Sequence, residues 1–388
     1  MAIKRKPAKP KAGREYRVFL SYSHLDQKLV RSIVATLKGN HLAPMWDEHF
    51  AYGQGFHDQI KNFIAHAHVF IPVLTRGSNK RNWVHQEIGF ATALNIPVLP
   101  IAIEGVPGEM ISHLHAIRVT QSQTDARKGQ LSLAALRRLK NLLTRDVIEQ
   151  LVESSARLGG NLYTCAEYPD ARAEMIAQYC EDVRALGEFG VVRQKGALSS
   201  FHLPTETINH RVWKERYGMA ERSDEHCRLQ RRERIALTRH AQEAGCKLII
   251  DPYLTYQTYG EGARLVRLKC LCNFLDQMPD EKCQVAILHN DNASADKTDH
   301  GVSNTYVGDW FSAESVSAVV GKGYYQTIFT RHAASLQERI ANFDSEFQEL
   351  LTASGTDAGS SRVKALQVIG KEIQMLETEL PAESADHL

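Results

Sequence analysis

The sequence predicts an α/β fold: a parallel sheet covered on both faces, then a helical connector, then a second α/β domain. Three observations carry this. The runs Tyr16-Arg-Val-Phe-Leu-Ser-Tyr22, Val69-Phe-Ile-Pro-Val-Leu74 and Ile96-Pro-Val-Leu-Pro-Ile-Ala-Ile103 are apolar almost throughout. Strands that are apolar on both sides belong to parallel sheets buried on both faces. The stretches between them carry apolar residues at helical spacing, giving the strand–helix alternation of a wound sheet. At 388 residues the chain is long enough for two such domains.

Residues 1–14 come first, with Lys4, Arg5, Lys6, Lys9, Lys11 and Arg14 and no acid. They have nothing to bury and read as a disordered basic arm, for which nucleic-acid binding is possible but not indicated. Strand Arg17–Tyr22 leads through Ser23-His-Leu-Asp26 into a helix with Leu29, Ile33, Val34 and Leu37 on one face. Asp26 is placed to cap that helix or to sit in its first turn. Ala43-Pro-Met-Trp46 is a short strand, and Glu48–Phe56, with Gly53 and Gly55, is an exposed loop before a helix over Asp58–His66. Strand Val69–Leu74 precedes a helix over Val84–Leu94 that buries Ile88, Ala91 and Leu94. Trp83 opens this helix and Glu87 stands one turn on, so the two share a face. Strand Pro97–Ile103 and a short segment near Ile117-Arg-Val119 complete a first domain over 15–128.

Composition narrows the function. A net charge of +2, with 24% charged and 43% hydrophobic residues, gives no global reason to expect nucleic-acid or membrane binding. Seven cysteines, at 165, 180, 227, 246, 270, 272 and 283, form no disulfide framework, which points to a reducing cytoplasm. No apolar run approaches the roughly 18–20 residues of a membrane helix.

Phe19-Leu-Ser-Tyr-Ser23 with Asp26, Trp46-Asp47 before Gly53-x-x-Phe56, and Trp83-x-x-x-Glu87 together resemble the Toll/interleukin-1 receptor (TIR) domain. The resemblance covers residues 15–125 and implies a flavodoxin-like sheet of about five parallel strands. It also implies cleavage of NAD+ by Glu87, with Trp83 beside it, as in many prokaryotic and plant members. His85 and Gln86 fill variable positions before the acid. Loop 47–56 corresponds to the family's BB loop. Phe50, Tyr52, Gly53 and Gly55 are therefore expected to form an assembly element that completes the site of an adjacent protomer, making a homo-oligomer.

The chemistry accounts for the residue types. Nicotinamide leaves NAD+ as a neutral ring, so no general acid is needed, and the barrier lies in the ribosyl cation left behind. Glycosidases steady such a cation with a carboxylate, and a fixed group of this kind contributes about 3–4 kcal/mol. Glu87 is the candidate carboxylate, and Trp83 a stacking surface that excludes water. Phe19, Ser21, Ser23 and Asp26 are expected to line the other wall, with Asp47 and Phe56 as further substrate contacts. NAD+ is substrate, and no cofactor or metal is expected. Water as acceptor gives a linear product; the adenine ring gives a cyclic one.

Residues 129–160, rich in leucine, form the connector, ended by Gly159-Gly160. Residues 161–352 are expected to form the second α/β domain, a sensor of an unknown trigger. Glu215–Ala241 is a charge-rich helix whose face reads as solvated, with an anion-binding face as the alternative. Strands are read at Cys246–Asp251, Gln284–Leu288 and Thr305–Asp309, the last running into a tight turn. A Gly-rich turn begins Gly321–Phe329, and helices are read at Ala263–Leu275 and Leu336–Leu351. The order faintly resembles a phospholipase D-like domain, but the His-x-Lys-x4-Asp motif of that family is absent, so the resemblance implies binding without hydrolysis. Cys270-Leu-Cys272 points its thiols to different helix faces, which argues for buried cysteines over zinc. Residues 353–388 read as a linker and a terminal helix over Val363–Leu380. By resemblance, such architectures deplete NAD+ or make a signalling nucleotide in antiphage defence. The alternatives are a non-enzymatic TIR scaffold and a protein that binds a nucleotide without cleaving it.

Overall fold

The computed structural model describes residues 16–46, 56–75, 82–103, 116–119, 124–125, 130–157, 164–196, 210–211, 213–253, 260–288, 303–317, 325–331 and 333–380. The chain divides into two compact units, 1–161 and 162–388.

The first unit is a five-stranded parallel sheet. Its strands are β1 (Tyr16–Ser21), β2 (Leu42–Met45), β3 (Val69–Leu74), β4 (Ile101–Ile103) and β5 (Ile117–Val119), in the order β2-β1-β3-β4-β5. This is the flavodoxin-like order, in which winding reverses between β1 and β3. Every residue of β1 and of β3 is buried, as continuous apolar runs require. The helices are α1 (Gln27–Gly39), α2 (Phe56–His66) and α3 (Asn82–Ala93). Leu29, Ile33, Val34 and Leu37 of α1 are buried as the sequence predicts.

The third apolar run departs from its prediction. The chain around 97–99 only touches β3, through Phe70 N to Pro97 O and Leu99 N to Phe70 O, each 2.9 Å, and regular pairing starts at Ile101. Pro97 and Pro100 have no N–H to give the ladder, so the strand shortens to three residues.

A two-stranded ribbon, β6 (Thr124–Asp125) with β7 (Gln130–Leu131), precedes α4 (Leu133–Leu142) and α5 (Arg145–Arg157). These two helices, predicted as a connector, belong to the first unit. Leu139, Leu143 and Ile148 are fully buried, and Asn40 Nδ2 donates to Lys140 O and Leu143 O at 2.8 Å each, capping α4.

The second unit is a seven-stranded mixed sheet. Its strands are β8 (Thr164–Ala166), β9 (Val192–Gly196), β10 (Cys246–Ile250), β11 (Cys283–Ile287), β12 (Asn304–Val307), β13 (Phe311–Ser317) and β14 (Tyr325–Thr330). The order is β11-β10-β9-β12-β13-β14-β8, with β9, β10 and β11 parallel and the other pairings antiparallel. Helices α6 (Pro169–Ala185) and α7 (Ser223–Ala244) pack together on one face, and α9 (Ala333–Ala353) covers the other. Ile249, Ala286 and Tyr306 meet Phe343, Phe347 and Leu351 of α9 there.

Two predictions in this unit are corrected. The helix expected over 215–241 breaks at Gly218, whose φ of +69° favours glycine; a single turn, Trp213–Tyr217, precedes α7. The expected linker at 353–360 is a hydrogen-bonded turn in which Asp357 Oδ1 accepts from Ser360 N at 3.0 Å. It leads into α10 (Ser361–Glu379), which packs on α8 (Gly260–Gln277) and β11 with Ala365, Ile369 and Leu376 buried.

Candidate active site

In a wound sheet the crevice for a ligand opens at the carboxyl ends of the strands where winding reverses. Here those are the ends of β1 and β3. Ser21 closes β1 and pairs in register with Pro72 of β3, and α3 starts eight residues beyond the end of β3.

Glu87 sits in the second turn of α3 and is 8% exposed. It does not point into bulk water, as a surface helix acid would. The Ser21 hydroxyl donates a short hydrogen bond to Glu87 Oε2 across 66 positions of sequence. Burial raises the carboxyl from its ordinary 4.5 to about 7, and the Ser21 hydroxyl opposes that rise by favouring the ionised form. A buried carboxylate near the carboxyl ends of the strands that changes charge near neutrality is a candidate for chemistry.

A second link joins the same two strand ends. Asp26 occupies the N-cap position of α1, but its side chain does not cap that helix; Oδ2 accepts from Thr75 Oγ1 at 3.1 Å. Thr75 directly follows β3 and was not read as a site residue. A polar residue just past the carboxyl end of a buried strand is the signal that marks it.

The remaining candidates scatter. Ser23 is buried, and its carbonyl accepts from Asp26 N at 2.7 Å. Phe19 belongs to the core: its ring stacks on Phe63 at 5.6 Å and Phe70 at 5.9 Å and is 2% exposed. It lies two residues before Ser21, on the same side of β1 and deeper in the sheet. Trp83 lies in the first turn of α3 and Phe56 begins α2, but their rings fall outside the described residues. Asp47, Phe50, Tyr52, Gly53 and Gly55 also lie outside them.

Among the described residues no group of three His, Cys, Asp or Glu side chains could hold a metal ion, and no helix is long and apolar enough to cross a membrane. Cys180, Cys227, Cys246, Cys270, Cys272 and Cys283 are free thiols. Cys270 and Cys272 are half-buried on α8, while Cys246 and Cys283 meet across paired strands with sulfurs 3.4 Å apart.

The model of the TIR domain family matches residues 18–132. No curated protein matches the chain. Among solved structures, that of TrmBL2, an archaeal chromatin protein with a novel mode of DNA binding, is similar over 55% of this chain at 11% identity and a TM-score of 0.27. The match spans 65% of that protein's length, under two thirds, and a likeness this slight carries neither fold nor function. The family match and the five parallel strands in the order 2-1-3-4-5 agree, and residues 18–132 form a TIR domain.

Proposed function

We propose that this protein is an NAD+ glycohydrolase that releases nicotinamide, with Glu87 as its catalytic carboxylate. TIR domains include NAD+-cleaving enzymes as well as signalling scaffolds. The observation that favours cleavage is the position and state of Glu87: buried at the reversal point of the sheet, bonded to Ser21, and titrating near neutrality. A carboxylate so placed meets the need of a ribosyl cation for fixed negative charge where water is scarce. Trp83 and Asp26 would complete the ligand surface. In this reading residues 161–352 sense a trigger, and the loop bearing Phe50, Tyr52, Gly53 and Gly55 brings TIR domains together in the cytoplasm as part of antiphage defence. Depletion of NAD+ or a cyclic product would be the output.

The experiment is incubation of the protein with NAD+, dilute and under assembly conditions, beside Glu87→Gln. Nicotinamide release by the wild type and its loss in the variant support the reading; equal release by both removes Glu87 from its role. The scaffold reading draws on Leu25, 85% exposed in the turn after β1, where a partner protein could cover it. Absence of nicotinamide under every assembly condition would favour that reading.

A further inference from the structure

The Ser21 hydroxyl has one proton to give, and it is committed to Glu87 Oε2. Ser21 is 6% exposed, at the end of a strand whose every residue is buried, and it is held in register with Pro72 of β3. Glu87 stands on a separate element, and a glutamate side chain has rotamers to lose before it can hold one direction. A bond from a rigid strand end removes that freedom. A ligand contact expected of Ser21 from sequence would compete for the same proton.

We propose that Ser21 is the positioning residue of the site: it anchors Oε2 of Glu87 to β1 and so presents Oε1 to the ligand. The proposal rests on the reading of Glu87 as the carboxylate that steadies the ribosyl cation. A positioning bond of this kind also governs when the carboxylate is charged. No charged neighbour enters the perturbation of Glu87; the titratable groups carried by the adjoining segments are His24 and Asp26 after β1 and His85 on α3, and Thr75 after β3 donates to Asp26. The perturbation of Glu87 has two causes, burial and the Ser21 bond. Taking the hydroxyl away leaves burial unopposed, so the carboxyl rises further and a smaller share is ionised near pH 7.

The test uses the full chain with Ser21→Ala, and with Ser21→Thr, which keeps a hydroxyl on a strand that accepts β-branched residues. Nicotinamide release from NAD+ is followed across pH. A hydrogen bond to a charged group is worth at least about tenfold in ionisation. Ser21→Ala is therefore expected to move the acid limb to higher pH by about one unit, losing more than about fivefold near pH 7, and to stay below the wild-type rate on the plateau near pH 9, where the ionised carboxylate is no longer held in one direction. Ser21→Thr follows the wild type. A merely structural role would lower the rate alike at every pH, and that result overturns the proposal. A second readout is independent of turnover: the carbon-13 resonance of the Glu87 carboxyl, assigned with Glu87→Gln. If the wild type never cleaves NAD+ yet this midpoint moves in Ser21→Ala alone, the positioning role stands and the NAD+ reading fails. If midpoint and profile in Ser21→Ala coincide with the wild type, Ser21 does not position Glu87.

Discussion

Glu87 should cost the fold stability in proportion to its charge, and Glu87→Gln should return it. Its carboxyl titrates at about 7 in the folded protein against an ordinary 4.5. Between those values the folded state holds a proton that the unfolded chain has released, so stability falls as pH rises through the window. Below about pH 4.5 both states are protonated and the cost vanishes. Above about pH 7 it is complete, at about 3 kcal/mol, since each unit of difference is worth 1.36 kcal/mol. Glutamine keeps the shape and can still accept from Ser21 but carries no charge. Calorimetry of the intact chain should show one transition raised in Glu87→Gln by about 6–12 °C at pH 8.5, at roughly 2–4 °C per kcal/mol for a unit of this size. At pH 5 the gain should shrink to below about 1 kcal/mol. A stability difference that is the same at both pH values, or a less stable variant, would refute the account of Glu87 as a buried, strained carboxylate. Gain of stability with loss of nicotinamide release would be the expected trade of a working site.

Three further outcomes test the second unit. Arg172 Nη1 donates to Glu233 Oε1 at 2.9 Å between α6 and α7, with both side chains buried; Glu233→Gln leaves a buried guanidinium without its counter-charge and should cost about 3–5 kcal/mol in urea unfolding, most of it recovered when Arg172→Met is added. Burial works to raise the Asp344 carboxyl, but Arg193 and Lys247 hold it below its ordinary 3.8. Its contribution is therefore present at neutral pH and lost as pH falls through the depressed value, so Asp344→Asn should be less stable than wild type at pH 7 and nearly equal to it in acid. Burial, with Glu233, Glu181 and Asp182 nearby, raises the Cys180 thiol well above its usual range, and the Cys246 thiol is raised by its bond to Cys283 and by burial. Burial and Asp276 raise the Cys272 thiol as well, so iodoacetamide on the native protein should label Cys270 first, Cys272 more slowly, and spare Cys180, Cys246 and Cys283, as peptide mass spectrometry would show.

The first unit was readable because its strands are buried on both sides and therefore apolar throughout, which leaves a strong local pattern. The second hid its central strand. Val192-Arg-Gln-Lys-Gly196 looks like a surface segment, yet β9 lies between β10 and β12. Arg193 and Lys195 are there because Asp344 and Glu346 of α9 meet them at 3.0 and 2.7 Å, and Gln194 donates to Thr305 at 3.1 Å on the opposite face. Charge paired from more than a hundred residues away leaves no trace in a local hydropathy pattern. The leucines of 131–151 signalled helices in the same local way, but only contact with β1, β3 and α1 shows which surface they bury.

By itself the sequence determined the wound α/β character of residues 16–119, the helix that carries Glu87 and the residue types that suit a ribosyl cation. Those follow from periodicity and from motif spacing, which are properties of neighbours in the chain. Tertiary structure alone decided that Ser21 serves Glu87, that Asp26 turns to Thr75 away from its helix, and that Phe19 packs into the core. Each is a contact across 44 to 66 positions, and a chain has no local rule for which of its distant polar groups will share a proton until the sheet sets their strand ends side by side.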